Sequence, residues 1–524
     1  MRRKHNGEGT AVKRILIRTA AILCAVFLLT ISAASADHSN SMKEDGFSTS
    51  YSYIYDYWRD VQISPDPYRV LTVVDTSSIG LENLDNIRIK TPEGIFCRNN
   101  NIYIADTGNN RIIQLSYKNQ EVSFTRVITG FEGTEPSGFR NPTDIFVDKD
   151  DNIYVADKNN HRVVMADKNL QVIKTFVKPN DNTFSGDFLP NKIAVDVAGR
   201  LYVLATNVLE GFMKYESDTV FSGYIGANAV KVDMATYIWK RYFMTKAQRA
   251  ASESFVPTEY ENMYMDEKGF IYATNTHFRE YELMSDSAKP IRRLNGIGND
   301  ILIKNDRFPP IGDLRWKESG QQYGPSKLSD ITAMDNEIYV ALDKMRGRLF
   351  GYDSQGVMLW AFGTTGNADG TFTANGAIGL DHIGYDLMVL DTLKGSVTIF
   401  IPTEYGQLIY DATDAYQKGD YDGSADLWTE VMKLNTNYPL AFRGLGRSMM
   451  RQERYKEAMD YFERAHDRDD YGRAFKQYRK QAIEKSILWV VLGLAVLLLV
   501  PLGIGRIKRM KWEVMMHEHS KVRK

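Results

Sequence analysis

The sequence predicts a mainly β protein: a six-bladed β-propeller, followed by an α-helical hairpin region and one C-terminal transmembrane helix. Three patterns in the 524-residue chain predict this class. A short strand motif recurs six times between residues 102 and 391, two later segments share one helical pattern, and an apolar run without charged residues lies near the C-terminus. Short strands repeated about every 40–50 residues are typical of propeller blades.

The first 36 residues are predicted to form a signal peptide. They carry six Lys/Arg and one Glu, followed by the apolar run TAAILCAVFLLTI and by Ala34-Ser35-Ala36. A basic start, a short apolar core and small residues before the cleavage site define such peptides. Cleavage after residue 36 is favoured, and an uncleaved membrane anchor is the alternative. Residues 37–66 are predicted to be a linker.

The propeller is predicted over residues 67–402. The strand motif has an aromatic or apolar residue followed by small or β-branched residues, and a second short strand comes about ten residues before most copies. The copies are IYIAD at 102–106, IYVAD at 153–157, LYVLA at 201–205, IYATN at 271–275, IYVAL at 338–342 and LMVLD at 387–391. The strand PYRVLTVVD at 67–75 is expected to close the ring by joining the last blade. Two longer gaps contain insertions, at 226–257 and 303–325, for which a binding loop and a lid or packing arm remain alternatives.

The first two blades share a sharper motif, D-x-x-N-x-R. Its residues are Asp106, Asn109 and Arg111, and again Asp157, Asn160 and Arg162. This resembles the NHL family of six-bladed β-propellers. A carboxylate and an amide suit a tight turn between strands, and the Arg can fix that turn by charged hydrogen bonds. These six residues are therefore expected to be structural rather than catalytic.

Residues 403–486 are predicted to be helical. The set Tyr421, Ser424 and Trp428 is repeated further along the chain as Tyr455, Ala458 and Phe462. A period of about 34 residues, with Tyr, small and aromatic positions, resembles the tetratricopeptide (TPR) repeat. The resemblance implies about two repeats, in which these six side chains serve packing.

The segment 487–505 (ILWVVLGLAVLLLVPLGIG) has no charged residue and is long enough to cross a bilayer. The tail at 506–524 has seven Lys/Arg against two Glu, so the positive-inside rule places it in the cytoplasm. The sequence therefore predicts a single-pass protein of a bacterial cell membrane, with the propeller and the TPR-like region outside the cytoplasm.

A column of polar residues comes just before the apolar core of the first strand of each blade. If these strands line the central channel, the six side chains would ring one mouth and could bind a metal or a polar ligand. The resemblance to gluconolactonase-like and lyase-like propellers implies calcium or zinc in such a channel. The alternative is that these residues only contact water, because a water-filled channel is lined by polar residues whether or not it binds a ligand. The column consists of Glu93, Asp144, Lys192, Asn262, Asp330 and His382.

Charge composition limits the partners. The total charge is −1, but the two membrane-flanking segments hold 13 basic and three acidic residues, which leaves 52 basic against 63 acidic residues in the remainder. This acidic excess argues against nucleic acid as a partner.

The sequence has no nucleophile elbow, Walker loop, HExxH or CxxC motif, so a non-enzymatic role is favoured over an enzymatic one. The leading hypothesis is a membrane-anchored scaffold or ligand-binding protein, with a protein, a glycan or a small polar ligand as partner, which includes an accessory role in a membrane or transport complex. It needs no cofactor. The alternative is a metal-dependent hydrolase or lyase with its site in the channel.

Overall fold

The computed structural model describes residues 52–521, except for several gaps. The predicted signal peptide and most of the first predicted insertion lie outside the described residues. The gaps are at 57, 59–60, 82–87, 180–186, 207, 209, 227–259, 279–281, 284–287, 305–308 and 314–323.

Six antiparallel sheets form the blades of a β-propeller, as the strand repeat predicts. Each blade is a meander in which consecutive strands pair. Blade I contains β4 (Gly94–Arg98), β5 (Asn101–Asp106), β6 (Arg111–Lys118) and β7 (Glu121–Ile128); blade II contains β8 (Pro142–Val147), β9 (Ile153–Asp157), β10 (Arg162–Ala166) and β11 (Val172–Val177); and blade III contains β12 (Pro190–Val195), β13 (Leu201–Ala205), β14 (Phe212–Tyr215) and β15 (Phe221–Ile225).

The other three blades differ in strand number. Blade IV has three strands among the described residues, whereas blades V and VI also receive strands from the N-terminal part of the chain. Blade IV contains β16 (Asn262–Met265), β17 (Ile271–Thr274) and β18 (Ile291–Leu294); blade V contains β19 (Leu328–Ala333), β20 (Tyr339–Asp343), β21 (Arg348–Tyr352) and β22 (Met358–Phe362); and blade VI contains β23 (Ala377–Ile383), β24 (Asp386–Asp391) and β25 (Ser396–Pro402).

Ring closure follows the prediction. Strand β3 (Tyr68–Val74) pairs antiparallel with β25 and so forms the outer strand of blade VI. The ring is thereby closed by an early strand, which is the fourth strand of the last blade.

The predicted linker at 37–66 needs a correction. Strands β1 (Tyr53–Tyr55) and β2 (Val61–Ile63) form a hairpin on the outer edge of blade V, where Tyr53 pairs with Ala361. The Tyr53 and Tyr55 hydroxyls donate to Asp313 Oδ1, each at 2.5 Å, and Arg348 lies 3.0 Å from the other carboxylate oxygen. The end of the predicted linker therefore belongs to the propeller.

Apolar side chains hold neighbouring blades together. Between blades II and III, for example, Tyr154 and Phe176 pack with Val203 and Tyr215, and all four are at most 2% exposed. Because each sheet is apolar on both faces, a blade is stable only when it is stacked between two others.

Residues from 407 onward form a second compact unit. It is helical, as predicted, and its last helix continues through the predicted membrane segment. The helices are α1 (Glu404–Lys418), α2 (Tyr421–Leu434), α3 (Pro439–Arg451), α4 (Tyr455–Arg464) and α5 (Arg468–Lys521).

Candidate functional site

The first strand of every blade contributes to a cavity on the propeller axis. Apolar groups such as Ile145 and Met263 contribute to its lining. The polar residues that line it are Asp144, Lys192, Asn262, Tyr264, Asp330 and Asp381. The cavity is partly open to solvent, and the space between these side chains is narrow, at about 30 Å³. A volume of that size holds on the order of two water molecules.

Four of the six residues predicted for the ring line this cavity, at equivalent positions in blades II to V. Each of the four lies opposite the next-to-last residue of the second strand of its blade, or opposite the last residue in the shorter strand β17. The pairs are Asp144 with Ala156, Lys192 with Leu204, Asn262 with Thr274 and Asp330 with Leu342. Strand pairing places these four side chains in one layer.

The other two residues of the predicted ring are misaligned. In blade I the position opposite Ala105 is Gly94, and in blade VI the position opposite Leu390 is Gly379. A β-bulge precedes the layer in β8, β12, β19 and β23, whereas β4 has none, and this difference moves Glu93 out of the layer by one residue. Blade VI has the same bulge, but its layer position is Gly379, so the polar His382 lies three residues beyond it. Glu93 and His382 therefore do not complete the ring.

Both misaligned residues still contact the surroundings of the cavity. The backbone oxygen of Glu93 accepts a hydrogen bond from Lys192 Nζ at 2.8 Å. His382 Nδ1 lies 2.6 Å from Thr332 Oγ1, and their donor and acceptor roles depend on the tautomer.

Asp381 is the lining carboxylate that sequence reasoning missed. It belongs to the next layer of the cavity, two residues beyond Gly379, because alternate residues of a strand face the same side. The prediction names the adjacent His382 instead, and a carboxylate two residues after a small residue was the available signal.

The three carboxylates of the cavity connect neighbouring blades. Asp144 Oδ2 accepts from the Ile193 amide at 2.8 Å, and Asp330 Oδ2 accepts from the Leu380 amide at 2.7 Å. Asp381 Oδ2 accepts from the Cys97 amide at 2.6 Å, which joins the last blade to the first. Each bond runs from one inner strand to the next, so these side chains help to hold the ring closed.

Burial governs the electrostatics of the cavity. Burial raises the pKa of Asp330 to about 8 and that of Asp144 to about 6, although Lys192 and backbone N–H groups act in the opposite direction on both. Lys192 Nζ lies 3.8 Å from Asp144 Oδ1. At neutral pH, Asp330 is therefore largely protonated, and the Asp144 carboxylate is compensated by the Lys192 ammonium.

These residues fit a resident cation poorly. The Lys192 ammonium lies next to the Asp144 carboxylate, where it would repel a bound cation. The carboxylate oxygens of Asp144 and Asp330 already accept backbone hydrogen bonds. In the part of the chain that the structure describes, no three His, Cys, Asp or Glu side chains are grouped so that they could hold a metal ion.

The D-x-x-N-x-R residues form turn clamps away from the cavity. In blade II, buried Asp157 accepts from Arg162 Nε at 2.9 Å, from Asn160 Nδ2 at 2.8 Å and from the Arg140 amide at 2.7 Å. Arg162 also donates to Pro136 O, which lies before the blade. The clamp thus ties the turn between β9 and β10 to the segment that leads into the blade.

Residues 139–164 match the NHL repeat. This stretch contains β8, β9 and the blade II clamp.

The blade I clamp has the same geometry as that of the matched NHL repeat. Asp106 accepts from Arg111 Nε at 2.6 Å, from Asn109 Nδ2 at 2.9 Å and from the Lys90 amide at 2.7 Å. Blades I and II therefore share one turn design.

Two further blades keep the clamp carboxylate without the full NHL motif. Asp343 ends β20 and accepts from Arg346 Nη1 at 2.6 Å, and Asp391 ends β24 and accepts backbone bonds from Thr373 and Leu393. Sequence reasoning missed both, although an Asp directly after the strand core, as in IYVALD and LMVLD, was the available signal.

Comparisons with solved structures show remote likeness. Virginiamycin B lyase from Staphylococcus aureus is 11% identical over 59% of this chain and 94% of its own, with a TM-score of 0.35. A protein of unknown function from Bacteroides thetaiotaomicron is 12% identical over 68% of this chain and 77% of its own, with a TM-score of 0.38. The computationally designed Ika8 protein is 9% identical over 59% of this chain and 70% of its own, with a TM-score of 0.31. At these values the likenesses carry no conclusion about activity, and no curated protein matches the sequence.

The predicted packing residues of the helical unit lie at helix contacts. Ser424, Trp428, Ala458 and Phe462 are buried, and Tyr421 and Tyr455 are half-buried at the starts of α2 and α4. The Trp428 ring lies against Gly444 of α3, and the Phe462 ring lies against Gly446, where an added Cβ would be 2.6 Å from Cε1. The two glycines give the aromatic rings their space.

Among the described residues, one helix is long and apolar enough to cross a membrane. This is α5, and its apolar stretch between Ile487 and Ile504 is exposed along its length. A surface of this kind is expected to be covered by lipid.

Proposed function

We propose that the chain is a membrane-anchored extracytoplasmic binding or scaffold protein, which acts through the surfaces of its propeller and its helical unit as part of a membrane complex. The observation that carries this proposal is that the carboxylates of the cavity are engaged in hydrogen bonds between blades. Asp144, Asp330 and Asp381 each accept a backbone hydrogen bond from the next blade, around a space of about 30 Å³. Such a centre serves the architecture of the propeller, so binding is assigned to its outer surface.

One face of the propeller offers a binding surface. The turns at 196–199 and 216–219 close the first and third hairpins of blade III, and the turn at 295–298 follows the third strand of blade IV. In a propeller these turns share one face, because the inner strands of all blades run in the same direction. We define the turn-face tips as Val197, Val220 and Ile297, which are 75%, 59% and 78% exposed.

The surroundings of the turn-face tips indicate the character of the partner. Asp196 and Glu216 begin the two turns of blade III, and they form ion pairs with Arg200 and Lys214. Because these acidic charges are compensated within the blade, a partner with an apolar patch would complement this surface.

The helical unit supplies a second surface. Helices α1 and α3 begin at Glu404 and Pro439, and helices α2 and α4 begin at Tyr421 and Tyr455. Both separations are close to the TPR period of about 34 residues. This spacing supports the interpretation as TPR-like hairpins, which are stacked units suited to protein partners.

Cross-linking in intact membranes tests the binding role of the turn face. Val220→Ser with Ile297→Ser removes two exposed apolar contacts and is expected to lower the yield of the cross-linked partner about tenfold. The matched control is Val177→Ser with Leu393→Ser, which are 56% and 60% exposed and lie away from these turns. Equal loss in both double variants, or no loss in the first, would contradict the assignment of the turn face.

A channel hydrolase or lyase is the second candidate. The observation that favours it is the raised pKa of both Asp144 and Asp330 in one cavity, since such shifts are common at catalytic sites. A metal-dependent enzyme of this kind would show a higher Tm with Ca²⁺ or Zn²⁺, and this increase would be lost in Asp144→Asn. From the poor fit of the cavity to a cation, we expect no metal-dependent change in Tm.

A further inference from the structure

Helix α5 joins the helical unit to the membrane segment without a break. It runs from Arg468 to Lys521, and Ala474 in its second turn is fully buried. The exposed apolar stretch begins at Ile487. At about 1.5 Å per residue, the packed part of the helix and the apolar part are separated by roughly 20 Å of continuous helix.

This intervening segment is basic. Residues 476–485 contain Lys476, Arg479, Lys480 and Lys485 against the single acid Glu484, and all five side chains are exposed. Glu484 lies 3.9 Å from Lys480, at the outer limit for an ion pair, and both are more than 60% exposed. The segment therefore keeps a net positive charge.

The basic side chains nearest the helical unit point away from the packed face of α5. With 3.6 residues per turn, Lys476, Arg479 and Lys480 lie more than about 100° around the helix from Ala474. They are turned away from the helices that cover Ala474.

The height of the basic residues above the apolar stretch matches a headgroup layer. Lys485, Lys480 and Arg479 lie about 3, 10 and 12 Å along the axis from Ile487. The polar layer of a bilayer leaflet and the screening length beyond it together extend over roughly 15 Å. Long basic side chains at this height can bind lipid phosphates.

We propose that Arg479, Lys480 and Lys485 form a binding site for anionic phospholipid headgroups in the leaflet on the N-terminal side of the apolar segment. The proposal rests on the membrane anchoring stated above. It assigns a lipid partner to a segment that would otherwise serve as a spacer, and the bound headgroups would fix the depth and tilt of α5.

The test uses the full chain in vesicles of phosphatidylcholine with about one quarter phosphatidylglycerol. The protein is recovered in mild detergent, and the lipids that remain bound are quantified. Wild type is expected to enrich phosphatidylglycerol several-fold over the bulk, and R479Q/K480Q/K485Q is expected to retain about half of that enrichment, because basic residues at the other end of the segment remain. Raising the salt concentration should abolish the enrichment.

The matched control is K418Q/K433Q/K456Q, which removes the same charge from exposed positions on α1, α2 and α4. It should behave as wild type. Wild-type enrichment in R479Q/K480Q/K485Q, or an equal decrease in the control, would overturn the lipid site. Resistance of the membrane-bound protein to extraction with alkaline carbonate is measured in parallel. If the protein stays in the membrane but shows no lipid preference, the lipid site alone is refuted. If carbonate extracts the protein from the membrane, the membrane anchor is refuted as well.

Discussion

At the scale of single residues, Asp330 links the cavity to the stability of the ring. Its Oδ1 accepts from its neighbour Ile331 and its Oδ2 accepts from Leu380 of the next blade, while burial raises its pKa from 3.8 to about 8. A carboxyl group whose pKa is raised by folding favours the folded state in its protonated form. Its stabilising contribution is therefore complete below about pH 4 and is lost as the pH rises through 8.

This linkage predicts that the Tm of wild type decreases between pH 6 and pH 9. In Asp330→Asn, which cannot titrate, the decrease over this range should be clearly smaller. The Tm should also be lower at every pH, because the NH2 group of Asn cannot accept one of the two backbone hydrogen bonds. Asp144→Asn is the matched control, because the pKa of Asp144 is about 6 and most of its contribution is already lost below pH 7. Thermal unfolding across this pH range measures both variants, and identical slopes in wild type and Asp330→Asn would refute the assignment.

Residue chemistry also shows where sequence reasoning succeeded and where it could not. The D-x-x-N-x-R spacing located the clamps of Asp106 and Asp157, because a turn clamp is local and its partners are close in sequence. The ring at the channel required the register of six inner strands, and Glu93 was misplaced because β4 lacks the bulge that β8, β12 and β19 have. His382 was misplaced because the layer position of blade VI is a glycine, Gly379, which a search for polar residues passes over, and Asp381 was missed for the same reason.

At the scale of elements, the same distinction holds. The run of apolar and β-branched residues at 67–75 predicted strand β3, and the need to close the ring predicted its pairing with the last blade. A long run without charged residues predicted the apolar part of α5. Strands β1 and β2 have three residues each, too few to show a period, and their place is set by distant partners such as Asp313 and Arg348.

The helical unit gives a prediction at this scale. Replacing Gly by Ala inside a helix normally stabilises it by about 1 kcal/mol. In α3, however, the added methyl group of Gly444→Ala or Gly446→Ala would meet the ring of Trp428 or Phe462. Overpacking of this kind costs about 1–3 kcal/mol, so both variants should lower the unfolding temperature of the helical unit.

Gly472→Ala in α5 is the control for these two variants, because nothing lies within 4 Å of its added methyl group. It should leave the helical unit equally stable or make it more stable by up to about 1 kcal/mol. Circular dichroism at the helical band during heating compares the three variants. Stabilisation by Gly444→Ala would show that the two helices have room to separate.

At the scale of the whole molecule, the basic charges beside the apolar segment bear on its orientation. Its N-terminal flank at 468–486 has six Lys/Arg, against seven in the tail at 506–524. Lys and Arg near the ends of the segment set orientation, whereas acidic residues contribute little. The bias between the two flanks is thus a single residue, and the proposed outward placement of the propeller depends mainly on the predicted signal peptide at 1–36.

Cysteine labelling tests this orientation. Leu393→Cys places a thiol on an exposed turn of the propeller away from the turn-face tips, and Met516→Cys places one on the exposed part of α5 beyond the apolar segment. In intact cells, a membrane-impermeant maleimide should label Leu393→Cys at least about tenfold more than Met516→Cys, because a bilayer excludes the charged reagent. Wild type, which keeps the native thiol Cys97, gives the background. After permeabilisation both positions should react equally. The reverse pattern would mean that the nearly balanced flanks allow the opposite insertion, and it would place the propeller in the cytoplasm.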